Sequence, residues 1–251
     1  MRTLMLETRR TLQSAVPSWL RLHAGEFGYL SVSALAVGVA TTATAAFWFS
    51  PWSPAALDRP AATVASGDLI GAMVAYEALA DGWGPDRTRE EAAWRAAQLQ
   101  AVELNNPTRS AVKLRQFVAA WPESDHAADA WARLAGVYDV GLNDRARAAR
   151  AWEQAAWSNP TDDEAGRWLL DAGRAYASEG DTEAAGRALG LATEHPERAT
   201  AAWLALARLH LATEPAAAYE AYDMALRSSD GGPAANLARL GLVTALERLE
   251  G

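Results

Sequence analysis

Three copies of one residue pattern run through the second half of the chain, and they restrict its fold more than any other feature. Trp131-x2-Leu134-Ala135-x2-Tyr138 is followed by Ala148-x3-Trp152-x2-Ala155 and then by Pro160. The pattern returns as Leu169-x2-Ala172-Gly173-x2-Tyr176, Ala185-x3-Leu189-x2-Ala192 and Pro196. A third copy reads Trp203-x2-Leu206-Ala207-x2-His210, Ala218-x3-Tyr222-x2-Ala225 and Pro233. The leading residues lie 38 and then 34 positions apart. Residues three and four apart share a helix face, so each half-copy reads as a short amphipathic helix. Ala135, Gly173 and Ala207, and then Ala155, Ala192 and Ala225, sit where a neighbouring helix needs close approach. Asn159-Pro160, and Thr182 after Asp181, carry helix-start chemistry, and Gly141 and Gly180 can end the helix before them. One such pair cannot bury its own apolar face, so stacked pairs must share an elongated core.

Weaker copies extend the array in both directions. Gly67, Ala72-x3-Tyr76-x2-Leu79 and Pro85 read as the second helix of a degenerate unit. Trp94-x2-Ala97 and Phe117-x2-Ala120, with Pro107 opening the second helix, make the next unit, and Leu237-x2-Leu240-Gly241 begins a last helix. The period and the order of small and large residues resemble the tetratricopeptide repeat (TPR). The stretch FVAAWPESDHAADAWARLAGVY (117–138) is similar to bacterial envelope proteins of that family, where a Pro-x-Ser turn leads into the next repeat. The resemblance implies an all-α solenoid over residues 64–251, about four helix pairs and a capping helix. It also implies that the chain binds other proteins and is not an enzyme.

The first sixty residues have a different character. From Gly28 to Phe49 there is no charged side chain, and these 22 residues, as a helix, span about 33 Å, enough for a bilayer core. Phe27 and Tyr29 mark one end, and Phe47, Trp48, Phe49 and Trp52 the other, as aromatic belts do. The reading is a leader (1–27), one transmembrane helix (28–49), a spacer with three prolines (50–63) and the array (64–251). A cleavable signal peptide is the rival, since Ala43-Thr44-Ala45 is a small-x-small site. Arg9-Arg10 resembles a twin-arginine signal, but the apolar run starts late after it. A cysteine-borne lipid anchor is excluded, because the chain has no cysteine.

Charge orients the expected span. Arg2, Arg9, Arg10 and Arg21 precede it against Glu7 and Glu26, which places the N-terminus in the cytoplasm and the repeats in a periplasm-like space. The expectation is a single-pass protein of a bacterial inner membrane. Ala34, Gly38, Thr42 and Ala46 recur every fourth residue and line one face with small side chains, suited to packing against another transmembrane helix. Frequent alanine and threonine in this segment explain the same spacing without a partner.

Residues 64–251 carry 18 basic and 28 acidic side chains, a net charge of −10. Such a domain does not bind nucleic acid through clustered cations. No catalytic, cofactor or metal constellation stands out. His23, His126, His195 and His210 are scattered, and His210 occupies an aromatic slot of the repeat. Asp162-Asp163-Glu164 suits a helix start better than a calcium loop, which would need a central glycine. Of the eleven tryptophans, Trp94, Trp131, Trp152 and Trp203 fall in repeat core slots.

In the TPR family the first helix of each pair lines the binding groove. Carried onto this sequence, that face holds Arg95, Leu99, Asp129, Arg167, Leu170, Arg174, Leu204, Arg208 and Leu211. Arginines among leucines suit an acidic or C-terminal peptide segment, gripped by bidentate guanidinium–carboxylate pairs. The Lys and Asn pattern of chaperone-binding members is missing. The competing reading is an ordinary solvated face whose arginines pair with neighbouring acids. The function expected is a membrane-anchored scaffold whose partners are proteins, integral membrane subunits among them. A structural accessory subunit of a respiratory or photosynthetic complex, and a soluble periplasmic module after signal cleavage, are the alternatives.

Overall fold

Local capping chemistry sets most of the helix boundaries. The side chains of Asp68, Asn106, Asp144 and Asp181 accept from the backbone N–H groups of Gly71, Arg109, Arg147 and Ala184, at 2.8, 3.0, 3.0 and 3.0 Å. Each bond satisfies one donor that the first helical turn leaves free. Pro107, Pro196 and Pro215 occupy first-turn positions, where the missing N–H costs nothing. Gly180 takes φ +82°, a left-handed conformation that closes the helix before it.

The protein is described here by a computed structural model, covering residues 54–102 and 106–250. The chain divides into two units, Met1–Ala56 and Leu57–Gly251. The expected leader, the span over 28–49 and its small-residue stripe of Ala34, Gly38, Thr42 and Ala46 lie outside the described residues. No helix among the described residues is long and apolar enough to cross a membrane.

Eleven α-helices follow one another among the described residues. They are α1 (Asp58–Ala65), α2 (Leu69–Asp81), α3 (Asp86–Val102), α4 (Pro107–Ala120), α5 (Ala127–Gly136) and α6 (Arg145–Ser158). The rest are α7 (Ala165–Ser178), α8 (Thr182–Ala192), α9 (Pro196–His210), α10 (Pro215–Arg227) and α11 (Gly232–Glu250). Each packs on its neighbours in sequence, and α7 also meets α9, which in turn meets α11. Helices α3/α4, α5/α6, α7/α8 and α9/α10 are the four expected pairs, and α11 is the expected last helix. The array begins earlier than the sequence suggests. Helix α1 lies largely within the stretch read as a spacer, because Pro60 falls in its first turn, where proline is tolerated, and is buried there.

The repeat positions behave as the spacing requires. Ala135, Ala155, Ala192, Ala207 and Ala225 are all 0% exposed. A Cβ at Gly173 would lie 2.5 Å from Leu189 Cγ, so only glycine lets α7 and α8 approach this closely. Tyr176, which closes the first-helix pattern, donates its hydroxyl to the buried Glu153 carboxylate of α6 at 2.8 Å. That bond ties one pair to the next.

The longer spacing between Trp131 and Leu169 has two local causes. A single π-type turn over Val137–Gly141 follows α5, with the Leu142 N–H bonded to the Val137 carbonyl at 3.0 Å. Such a turn takes up one extra residue without breaking the helix. The remaining excess lies in the turn between α6 and α7. Asn159-Pro160 does not start a helix as expected. Asn159 instead ends α6, and the Asp162 carboxylate accepts from the Glu164 N–H at 2.9 Å, which holds a turn until Ala165.

Candidate functional site

The first helices of successive pairs, α3, α5, α7 and α9, bring their exposed arginines onto neighbouring surfaces. The α3 end of this face opens into a cleft of about 430 Å³. Ala61 and Val64 of α1, Tyr76 of α2, Arg95, Gln98 and Leu99 of α3, and Arg133 of α5 line it. The floor is apolar and the rim carries two guanidinium groups. Arg95 donates from Nε to Glu91 Oε1 at 2.7 Å, and that carboxylate raises the Arg95 pKa. Burial pushes the Glu91 carboxyl up, but bonds from Arg95 and His126 outweigh it and hold the group below its ordinary value. The Arg133 guanidinium carbon lies 5.6 Å from the centroid of the Trp94 ring, a cation–π contact that uses no carboxylate.

Farther along, α7 holds Arg167, Asp171 and Arg174 on successive turns of one face. Arg167 pairs with Glu164, and Arg174 Nη1 stands 3.9 Å from Asp171 Oδ1. Burial raises the Asp171 pKa, opposed by the charges of Arg174, Arg167 and Arg198, while Asp139 adds to the rise. Asp139 follows α5 and Arg198 lies on α9, so three successive pairs contribute charge to this patch. Arg208 and Asp129 are exposed.

The residues expected on this face therefore do not form one surface. Arg95 and Leu99 meet in the cleft, and Arg167 and Arg174 meet around Asp171. Leu170 and Leu204 are only 5% and 8% exposed and belong to the core. Helices α7 and α9 meet, and both leucines belong to the same buried cluster. Leu211 is half-buried, and its carbonyl accepts from Arg248 Nη1 of α11 at 3.2 Å. Three of the four expected arginines, Arg95, Arg167 and Arg174, pair with acids three or four residues before them, while Arg208 stands apart on the exposed surface. Sequence reasoning passed over Arg133 and Asp171. Asp171 was visible at the i+4 spacing from Arg167 and the i−3 spacing from Arg174.

The three histidines among the described residues are engaged in packing or pairing. His126 stacks on Trp94 with ring centroids 5.1 Å apart and meets Glu91 at 3.1 Å. His210 Nδ1 stands 3.6 Å from Glu214, and His195 packs under Gly166. No group of three or more His, Cys, Asp or Glu side chains among the described residues is placed to hold a metal ion.

No protein-family model matches the sequence, and no curated protein matches it. Solved structures do. The chain is similar to YrrB, described as a TPR protein with an unusual peptide-binding site, at a TM-score of 0.51 and 17% identity. That match covers 83% of this chain and 97% of YrrB. A structure of MamA matches at a TM-score of 0.45 and 19% identity, covering 76% of this chain and 94% of its own. PilW, a type IV pilus biogenesis factor, matches at 0.41 and 19%, covering 78% and 89%. The likeness to YrrB, the burial of the small repeat residues and the order of helix pairs lead to one conclusion: the described array has the fold of the tetratricopeptide-repeat family.

Proposed function

We propose that the chain is a non-enzymatic scaffold that holds an acidic or C-terminal segment of a protein partner on the face of α3, α5, α7 and α9. The cleft between α1, α2, α3 and α5 carries this reading. Its apolar floor at Val64, Tyr76 and Leu99 accepts an aliphatic or aromatic side chain, while Arg133 at its rim is free to meet a carboxylate. Arg208 provides a second cationic contact at the far end of the same face.

The uncharged segment 28–49 anchors the scaffold in a bacterial inner membrane, with the N-terminus cytoplasmic and the repeats periplasmic. Support for this part is the length of the segment and the excess of arginine before it. Membrane subunits are then the partners within reach.

The test is gentle detergent extraction of the tagged full chain from native membranes, with mass spectrometry of what co-purifies. The double variant Arg133→Glu, Arg208→Glu is expected to lose the main partner while keeping its helical signal. Undiminished co-purification by that variant overturns the assigned face. An intact N-terminus in the membrane fraction supports the anchor, and a chain beginning near Ala46 in the soluble fraction overturns it. A fixed stoichiometry with respiratory or photosynthetic subunits would make the protein a structural accessory of that complex.

A further inference from the structure

Helix α11 packs its smallest side chains inward and turns its largest outward. Ala235, Ala238, Gly241 and Ala245 are its buried residues. A Cβ at Gly241 would lie 2.3 Å from the Tyr222 ring, so the helix sits hard against α10. Leu237, Leu240, Val243 and Leu246 are 46, 66, 53 and 42% exposed. Helices that merely cap a solenoid carry a polar outer face. Here the outer face holds four aliphatic side chains within three turns.

Their arrangement is that of a helix–helix seam. With 3.6 residues per turn, Asn236, Leu240, Val243 and Glu247 fall along one line, opposite Ala238 and Ala245. Leu237 and Leu246 flank that line on its two sides. The seam reads polar, apolar, apolar, polar, and its two halves match when one helix is turned end for end. Arg248 in the last turn bonds the Leu211 carbonyl, away from the seam, and the charges beside the seam differ in sign toward its two ends. Arg239 lies toward the start, where it reaches the Asn236 side chain at 3.0 Å, and Glu247 and Glu250 lie toward the end.

We propose that the outer face of α11 docks against α11 of a second copy of this chain, antiparallel, about a two-fold axis beside Gly241 and Leu242. Leu240 then meets Val243 of the second copy, Asn236 meets its Glu247, and Arg239 comes within a turn of that same carboxylate. A parallel pair would set Glu247 against Glu247. Charge therefore selects the antiparallel register. A two-fold interface must complement itself, and this single helix does so residue by residue. The proposal is independent of the arginine-bearing face and of what binds there.

The absence of cysteine from the chain makes the test direct. Full-length Asn236→Cys and Glu247→Cys variants with different tags are mixed in mild detergent and briefly oxidised. Disulfide formation between the two variants is expected to exceed, several-fold, that of either variant with itself, because self-pairs lie at opposite ends of the seam. A second variant, Leu240→Glu with Val243→Glu, is expected to abolish the dimer mass in light scattering while the helical circular dichroism stays unchanged. A monomer mass for the unaltered chain overturns the proposal. So does equal self-linking of Asn236→Cys, which reports a parallel pair. A dimer that survives Leu240→Glu with Val243→Glu also overturns it, because the contact then lies elsewhere, as at the membrane segment.

Discussion

The pairs α7/α8 and α1/α2 are built on the same plan with unequal success. In α7/α8, Ala172, Ala185, Ala188 and Ala192 are completely buried, Gly173 lets Leu189 into contact, and Tyr176 reaches Glu153 of the preceding pair. In α1/α2 the first helix has eight residues, and Pro60 is its one buried side chain. Stability in such arrays comes from each unit and its nearest neighbours, so a short helix weakens only its own end. It also leaves something uncovered. Tyr76 and Leu99, beside this short helix, line a cleft with two arginines at its rim. The well-packed pair closes its own core, and the short one leaves a cleft open beside it.

That contrast can be broken most forcefully at Gly173. Gly173→Leu forces the side chain into Leu189 and is expected to cost about 3 kcal/mol or more. Urea unfolding followed by circular dichroism measures it, and a loss below about 1 kcal/mol would show that α7 and α8 separate easily.

Next in size is Tyr176→Phe, which leaves the buried Glu153 carboxylate without its donor. The expected cost is about 1–3 kcal/mol in the same assay. Burial, and then Glu153, raise the Tyr176 pKa above its ordinary value of 10. The native state thus keeps a proton that the unfolded chain gives up above pH 10, so stability falls as pH rises beyond that point. Tyr176→Phe should flatten this alkaline decline, and an unchanged slope would detach the effect from Tyr176.

Cap removal sharpens the comparison directly. Asp181→Ala and Asp68→Ala each delete one side-chain bond to a first-turn N–H, worth about 1 kcal/mol. In the central pair that loss should appear in global unfolding. In α2 it should appear as faster hydrogen exchange confined to α1 and α2, with the midpoint of global unfolding nearly constant. Equal shifts of the global midpoint would mean that α1/α2 is as firmly coupled as α7/α8.

The smallest effect is expected at Asp171. Burial raises its pKa despite three nearby arginines, so the folded state favours the protonated form. Its stability contribution is greatest at low pH and is lost as pH rises from the unfolded value of 3.8 through the folded one. At pH 7 the ionised group is a net cost, and Asp171→Asn should raise stability by about 0.5 kcal/mol at most. The gain should vanish at pH 3, and a loss of stability at pH 7 would show that the arginines depend on this carboxylate.

Much of this architecture was legible in the chain. Ala135, Gly173 and Ala207 could be recognised because close helix contact tolerates only small side chains, and the caps at Asp181 and Pro107 act within one turn of themselves. Other features were not. The turn at Asn159 and the π-type turn at Val137 both accommodate inserted residues, and an insertion shows in the spacing without showing where it is absorbed. The groove assignment failed at Leu170 and Leu204 because helical periodicity gives the face of a residue within its own helix. It does not say whether neighbouring helices bury that face.

The sequence alone therefore determined the helices from α2 onward, their pairing and the positions where pairs touch, since these follow from interactions within about forty residues. Tertiary structure decided which of the same arginines stand over an apolar cleft and which are matched by an acid. It also decided that α11 buries alanine and exposes leucine. Those outcomes depend on how far one pair is rotated against the next. That rotation is the sum of many small packing contacts, and no single residue encodes it.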